Sequence, residues 1–177
     1  MTCTDDVTES QVLLAEYDRL KEEQKTRIGF RDNLLYVTLA AATAVVAITA
    51  QSGQSRLLLS VPAICLILGW TYLANDEKIS AIGGYVRDRL GPRLGELTSA
   101  DGAVFGWEVY HRNVAGHTVR KRLQIAVDLF TYLVLPMVCT TAFWCSPVVQ
   151  PLLLLASLGQ TLALAVLGWQ FLCRRER

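Results

Sequence analysis

Apolar residues along this chain gather in four runs, Leu34 to Ala50, Leu57 to Ala74, Leu123 to Trp144 and Leu152 to Cys173, of 17, 18, 22 and 22 residues. A hydrocarbon layer about 30 Å thick takes roughly 17 to 25 helical residues, so each run is long enough to cross a bilayer. A soluble four-helix bundle would instead need a charged face repeating every 3.6 residues on each helix. Leu34 to Ala50 has no such face: its only side chains with polar atoms are Tyr36, Thr38, Thr43 and Thr49. Across all four runs the one carboxylate is Asp128. The pattern predicts an all-α polytopic membrane protein: four transmembrane helices, an N-terminal cytosolic helix and a helical cytosolic loop.

The polar segments have periods of their own. Thr8 and Gln11 stand at capping-box spacing, and from there to Arg31 the chain is rich in Glu, Lys, Leu and Gln without proline, which predicts a helix. Leu13, Tyr17, Leu20, Gln24 and Ile28 recur every three or four residues and form one stripe on a charged rod. The stripe is expected to pack against the chain's own central loop, with a sister chain as the other occupant. The central segment, Asn75 to Arg122, holds seven of the twelve glycines and predicts two short helices. One continues from span two, with Ile79, Ile82, Val86 and Leu90 on a face, and stops at Gly91-Pro92. The other starts near Asp101, with Phe105 and Val109 on one face and Trp107 and Tyr110 on another. The chain thus divides into segments 1–33, 34–74, 75–122, 123–173 and 174–177.

Net charge is only +1, but its distribution is uneven: sixteen of the seventeen Lys and Arg lie outside the two short links, residues 51–56 and 145–151. The positive-inside rule then places both termini and the central loop in the cytosol. Arg27 with Arg31, Arg120-Lys121-Arg122 and Arg174-Arg175 read as anchors toward anionic head groups. Nucleic acid is not an expected partner, since Glu22, Glu23 and Asp32 interleave with these bases and oppose phosphate. Thirty-three largely polar residues before the first span are the wrong layout for a cleaved secretory signal. The five cysteines, Cys3, Cys65, Cys139, Cys145 and Cys173, show no zinc or disulfide spacing and read as small apolar fillers.

Asp128 lies about 8 Å into the layer, counting 1.5 Å per residue from the Arg120 to Arg122 cluster. Facing lipid at the centre would cost on the order of 2.5 to 3.5 kcal/mol, so it should turn inward and find a partner. Topology offers Arg31 and Asn33 at the end of span one and Asn75 and Lys78 at the end of span two, with Asp32, Asp76 and Glu77 beside them. This inner-leaflet network is read as a polar lock on helix order, or else as a cation or proton site. Gln160, near Ser157 and Thr161 in span four, reads as helix-to-helix glue. Gly159 with Ala163, and Ala40, Ala44 and Ala47, offer smooth faces for close approach within or between chains. Pro62 and Pro136 lie inside spans two and three and are expected to bend them. His111 and His117 do not share a helix face, so no metal is expected. No nucleotide, hydrolase or metalloprotease fingerprint occurs, and no cofactor is expected.

The runs EYDRLKEEQKTRIGFRDNLLYVTLAA and LGWTYLANDEKISAIGGYVR, with FGWE at Phe105 to Glu108, resemble a group of small actinomycete-type integral membrane proteins without an assigned activity. The resemblance implies a bacterial plasma membrane location and function concentrated near Arg27 to Asn33, Asn75 to Lys78 and Trp107 to Arg112. The expected role is non-enzymatic: a cytosol-facing surface, including Leu13, Tyr17, Leu20, Trp107 and Tyr110, that binds a protein partner or a second copy. An oligomeric ion-conducting or membrane-permeabilising unit and a lipid-acting enzyme at the inner interface are the alternatives.

Overall fold

The computed structural model describes residues 8–98, 117–147 and 150–173, and these are helical apart from short turns, with no strand among them. Trp107 and Tyr110, the helix expected from Asp101 and the side chains of Arg120, Lys121 and Arg122 lie outside what is described. Helix α1 runs unbroken from Glu9 to Ser52, 44 residues or about 66 Å at 1.5 Å each. Where the sequence suggested a cytosolic helix followed by a span, the two are one element. The segment contains no proline, and Gly29, with nothing within 4 Å of an added Cβ, costs it about 1 kcal/mol of helix propensity. The capping box is half formed, the Thr8 N–H donating to Gln11 Oε1 at 3.1 Å.

Gly53, at φ 69°, turns the chain after α1. A 3-10 turn, Ser55–Leu59, leads into α2, Ser60–Tyr85. Pro62 therefore sits in the first turn of α2, where a missing N–H is harmless, instead of bending the span from within. Helix α2 does not end at Gly91-Pro92 as its sequence suggested. A π-turn, Val86–Leu90, carries it into α3, Gly91–Thr98, and the Gly91 N–H reaches back five residues to the Val86 carbonyl. The wider turn moves aside the carbonyl that the Pro92 ring would strike. The same device recurs in span three: α4, His117–Leu129, passes through a π-turn, Phe130–Val134, into α5, Leu135–Trp144. Leu135 N–H bonds the Phe130 carbonyl, just ahead of Pro136. With that N–H used and none on Pro136, the Thr131 carbonyl accepts from Cys65 Sγ at 3.7 Å. Helix α6 is Pro151–Cys173.

Four helical stretches, Glu9–Ser52, Ser55–Leu97, Leu123–Trp144 and Pro151–Cys173, are long and apolar enough to cross a membrane. The chain divides into two compact units, one of Met1–Phe30 with Asn75–His117 and one of Arg31–Ala74 with Thr118–Arg177. The second unit has two buried clusters. Leu34, Tyr72, Leu73, Tyr132, Leu164, Leu167 and Phe171 form one, and Ala42, Val61, Cys65 and Cys139 the other. Its outward surface is equally apolar. On α6, Leu155, Leu162 and Trp169 recur every seven residues at 67%, 70% and 68% exposure. Such a face is untenable in water and ordinary in lipid.

Close helix approach occurs at glycines other than those the sequence suggested. A Cβ on Gly69 would lie 2.9 Å from both Leu167 Cδ2 and Tyr132 Cδ1, and one on Gly168 3.1 Å from Leu133. Gly159, Ala163, Ala40 and Ala44 are exposed, and Gly159 has no neighbour within 4 Å. The inward faces are Leu34, Thr38 and Ala42 on α1 and Ser157, Leu164, Leu167, Gly168 and Phe171 on α6. Gly69→Ala is therefore expected to cost roughly 1 to 3 kcal/mol through overpacking, while Gly159→Ala is neutral or gains up to about 1 kcal/mol of helix propensity. Thermal unfolding in detergent measures both.

Candidate functional site

In the unit of Arg31–Ala74 and Thr118–Arg177, a cleft of about 320 Å³ is lined by Arg31, Asp32, Leu35 and Tyr36 of α1, Tyr72 of α2, and Gln124, Val127 and Asp128 of α4. Asp128 is turned inward, 8% exposed, and its Oδ1 accepts the Tyr72 hydroxyl at 2.8 Å. A hydrogen bond to a charged group is worth about 1.5 to 3 kcal/mol, enough to offset much of the cost of holding a carboxylate this deep. The Arg31 guanidinium stands 6.0 Å from the Tyr72 ring centroid. Its Nη2 and Nε donate to Asp32 Oδ1 at 3.1 and 3.3 Å. Arg31 is the more enclosed of that pair, its side chain 17% exposed against 52% for Asp32.

Beneath Tyr72 the aromatic layer continues. Tyr72 and Tyr132 have centroids 5.2 Å apart, and Tyr132 stacks on Phe171 at 5.9 Å and 13°. The Tyr132 hydroxyl is fully buried and has no hydrogen-bond partner among the described residues. Gln160 does act across helices, its Nε2 donating to the Leu59 carbonyl at 3.2 Å, while its Oε1 is buried without a partner among the described residues. Trp144 Nε1 donates to Ser157 Oγ at 2.8 Å.

The expected inner-leaflet network is thus gathered only in part. Arg31, Asp32 and Asp128 meet around one cleft. Asn33, Glu77 and Lys78 are exposed, and Asp76 is half-buried. Asn75 is buried in the other unit and accepts from Arg27 Nη1 at 3.2 Å. Five cleft residues escaped the sequence reading: Leu35, Tyr36, Tyr72, Gln124 and Val127. For Tyr72 a signal existed, since it stands three residues before Asn75 and so shares its helix face.

The unit of Met1–Phe30 and Asn75–His117 is tied at four levels along α1. Glu9 Oε1 accepts from Arg93 at 2.9 and 3.1 Å, and Glu16 Oε1 from the Tyr85 hydroxyl at 2.9 Å. Gln24 Nε2 donates to the Ile79 carbonyl at 3.3 Å, below which comes the Arg27 to Asn75 bond. Leu13, Tyr17 and Leu20 are half-buried in this unit, with Val86 and Leu90 buried on the π-turn and Leu94 on α3. Arg27 also pairs with Glu23 at 2.6 Å. A shallow cleft of about 540 Å³ lies along Arg19, Glu22, Glu23, Thr26, Arg27, Phe30 and Asn75.

Two pKa shifts follow from these ties. The Glu16 carboxylate holds the Tyr85 proton and raises that phenol above its ordinary value, and Glu9 raises Arg93 in the same way. A raised phenol supports folding while protonated, so the Glu16 to Tyr85 tie is present below the unfolded value of about 10 and is lost as pH climbs through the higher folded one. Spin labels at the exposed Lys25 and Ser80 should broaden in distance distribution above about pH 10, and Tyr85→Phe should be broadened already at neutral pH.

For the cleft, Tyr72→Phe should destabilise by about 1.5 to 3 kcal/mol, and combining it with Asp128→Asn should cost less than the sum of the two singles. Denaturation in detergent supplies the double-mutant cycle. Comparison with protein families, with curated proteins and with solved structures finds no match for this chain.

Proposed function

We propose that this chain is a multipass integral protein of a bacterial plasma membrane, with both termini in the cytosol, whose polar helical unit serves as a non-enzymatic docking surface for a protein partner or a second copy. Basic residues concentrate in the long polar segments, which supports that orientation. The observation that carries the docking reading is the set of four ties from Glu9 to Arg27, spaced over about 27 Å of helix at 1.5 Å per residue.

Those ties hold α1 against α2 and α3 through one face and use the apolar stripe internally. Leu13, Tyr17 and Leu20 therefore support the unit instead of meeting a partner directly. The opposite face, with Asp18, Glu22 and Lys25 exposed, is left as a rigid charged ridge. Rigidity matters because a surface ordered in advance loses less entropy on binding.

Charge reversal of the ridge, Asp18→Lys with Glu22→Lys and Lys25→Glu, is expected to strip co-purifying protein or sister subunits while membrane insertion stays intact. Native mass spectrometry of the solubilised host protein reads subunit number and partners together. An unchanged set of partners would sink the docking surface.

A further inference from the structure

The cleft between α1, α2 and α4 has features of a ligand site that the docking reading does not use. Its depth can be read from neighbouring aromatics. Tyr36, Trp70 and Trp169 are exposed, at 67%, 56% and 68%, and each stands near the end of its apolar run that adjoins a segment rich in Lys and Arg. Trp70 stands two residues before Tyr72, and Trp169 two before Phe171, whose ring lies in the Tyr72 layer at 6.2 Å. Outward aromatics of this kind mark the level where head groups meet acyl chains. The cleft floor is therefore at head-group depth.

The chemistry of the lining narrows the ligand. It presents a guanidinium, Arg31, and two carboxylates, Asp32 and Asp128, with the amide of Gln124 at the rim and Leu35 and Val127 as apolar walls. Both signs in one cleft match a head group that carries both. At about 320 Å³ the space lies at the small end of the range of roughly 300 to 1,000 Å³ typical of ligand pockets. A quaternary ammonium would seek a cage of several aromatic faces, whereas Arg31 stands over the Tyr72 ring at 6.0 Å and leaves Tyr36 as the other ring in the lining. A primary ammonium donates N–H bonds to carboxylates and needs no such face.

We propose that this cleft seats the phosphoethanolamine head group of a membrane lipid, its ammonium toward Asp32 and Asp128 and its phosphate toward Arg31 and Gln124. The site rests on the chain crossing a bilayer but not on any protein partner. Glycerol and the first acyl carbons would leave past Val127, which is exposed on the outward surface of α4.

The test uses the full chain in nanodiscs of phosphatidylcholine doped with phosphatidylethanolamine or phosphatidylglycerol, read by thermal unfolding and by native mass spectrometry of retained lipid. Phosphatidylethanolamine is expected to raise the melting temperature and to be retained several-fold over the other two. Val127→Trp, which fills the cleft from an exposed position, and Asp32→Asn, which removes a carboxylate charge, should each abolish that preference when measured against the same variant in pure phosphatidylcholine. Equal stabilisation by all three lipids, or a preference that survives Val127→Trp, would overturn the site. Free phosphoethanolamine producing the full shift would overturn the lipid source and indicate a soluble ligand. A protein that needs detergent for extraction yet shows no lipid preference sinks only this site, whereas one found in the supernatant sinks the membrane reading as well.

Discussion

Because the outward faces of these helices are as apolar as the inward ones, removal from water cannot decide which sides meet. In a lipid solvent the choice falls to shape and to polar bonds. Gly69 and Gly168 let Tyr132, Leu167 and Leu133 approach neighbouring backbone, and any side chain there would hold the helices apart. Tyr72 with Asp128, Gln160 with the Leu59 carbonyl and Trp144 with Ser157 then pin one register. Each joins different helices, and each would leave a polar atom stranded in hydrocarbon if the helices slid.

Backbone groups obey the same constraint. Pro92 and Pro136 each remove a donor and crowd a carbonyl, and in both places the helix answers with a π-turn that ends two residues before the proline. At Pro136 the thiol of Cys65 supplies a donor to the Thr131 carbonyl from another helix. A proline that would break a helix in water thus becomes a point of attachment between spans. Cys65 is more than the small filler its sequence context suggested.

Much of the fold was legible because its signals are strong and local. Four long apolar runs, the Thr8 to Gln11 cap, the stripe through Leu13, Tyr17 and Leu20, and a lone acid at Asp128 are all features of spacing and composition. What was hidden is orientation around each span. A helix apolar on every side carries no period to say which face is inward, so Gly159 and Ala163 looked as good as Gly69 and Gly168. The partner of Asp128 was sought among Arg31, Asn33, Asn75 and Lys78 at the ends of the apolar runs, and the structure adds the phenol of Tyr72 from within a run. Continuation through Gly91-Pro92 was also unreadable, because a π-turn has no sequence signature apart from the proline it accommodates. The candidate surface at Trp107 and Tyr110 lies outside the described residues.

The central claim, that lipid and not water or protein covers the outward faces, is tested most directly by a nitroxide scan along α6 in liposomes. Labels at Leu155, Leu162 and Trp169 should relax strongly with oxygen and weakly with a water-soluble nickel chelate, and labels at Leu164 and Leu167 should be shielded from both. Strong nickel relaxation at Leu155 and Leu162 would place that face in water and contradict the account.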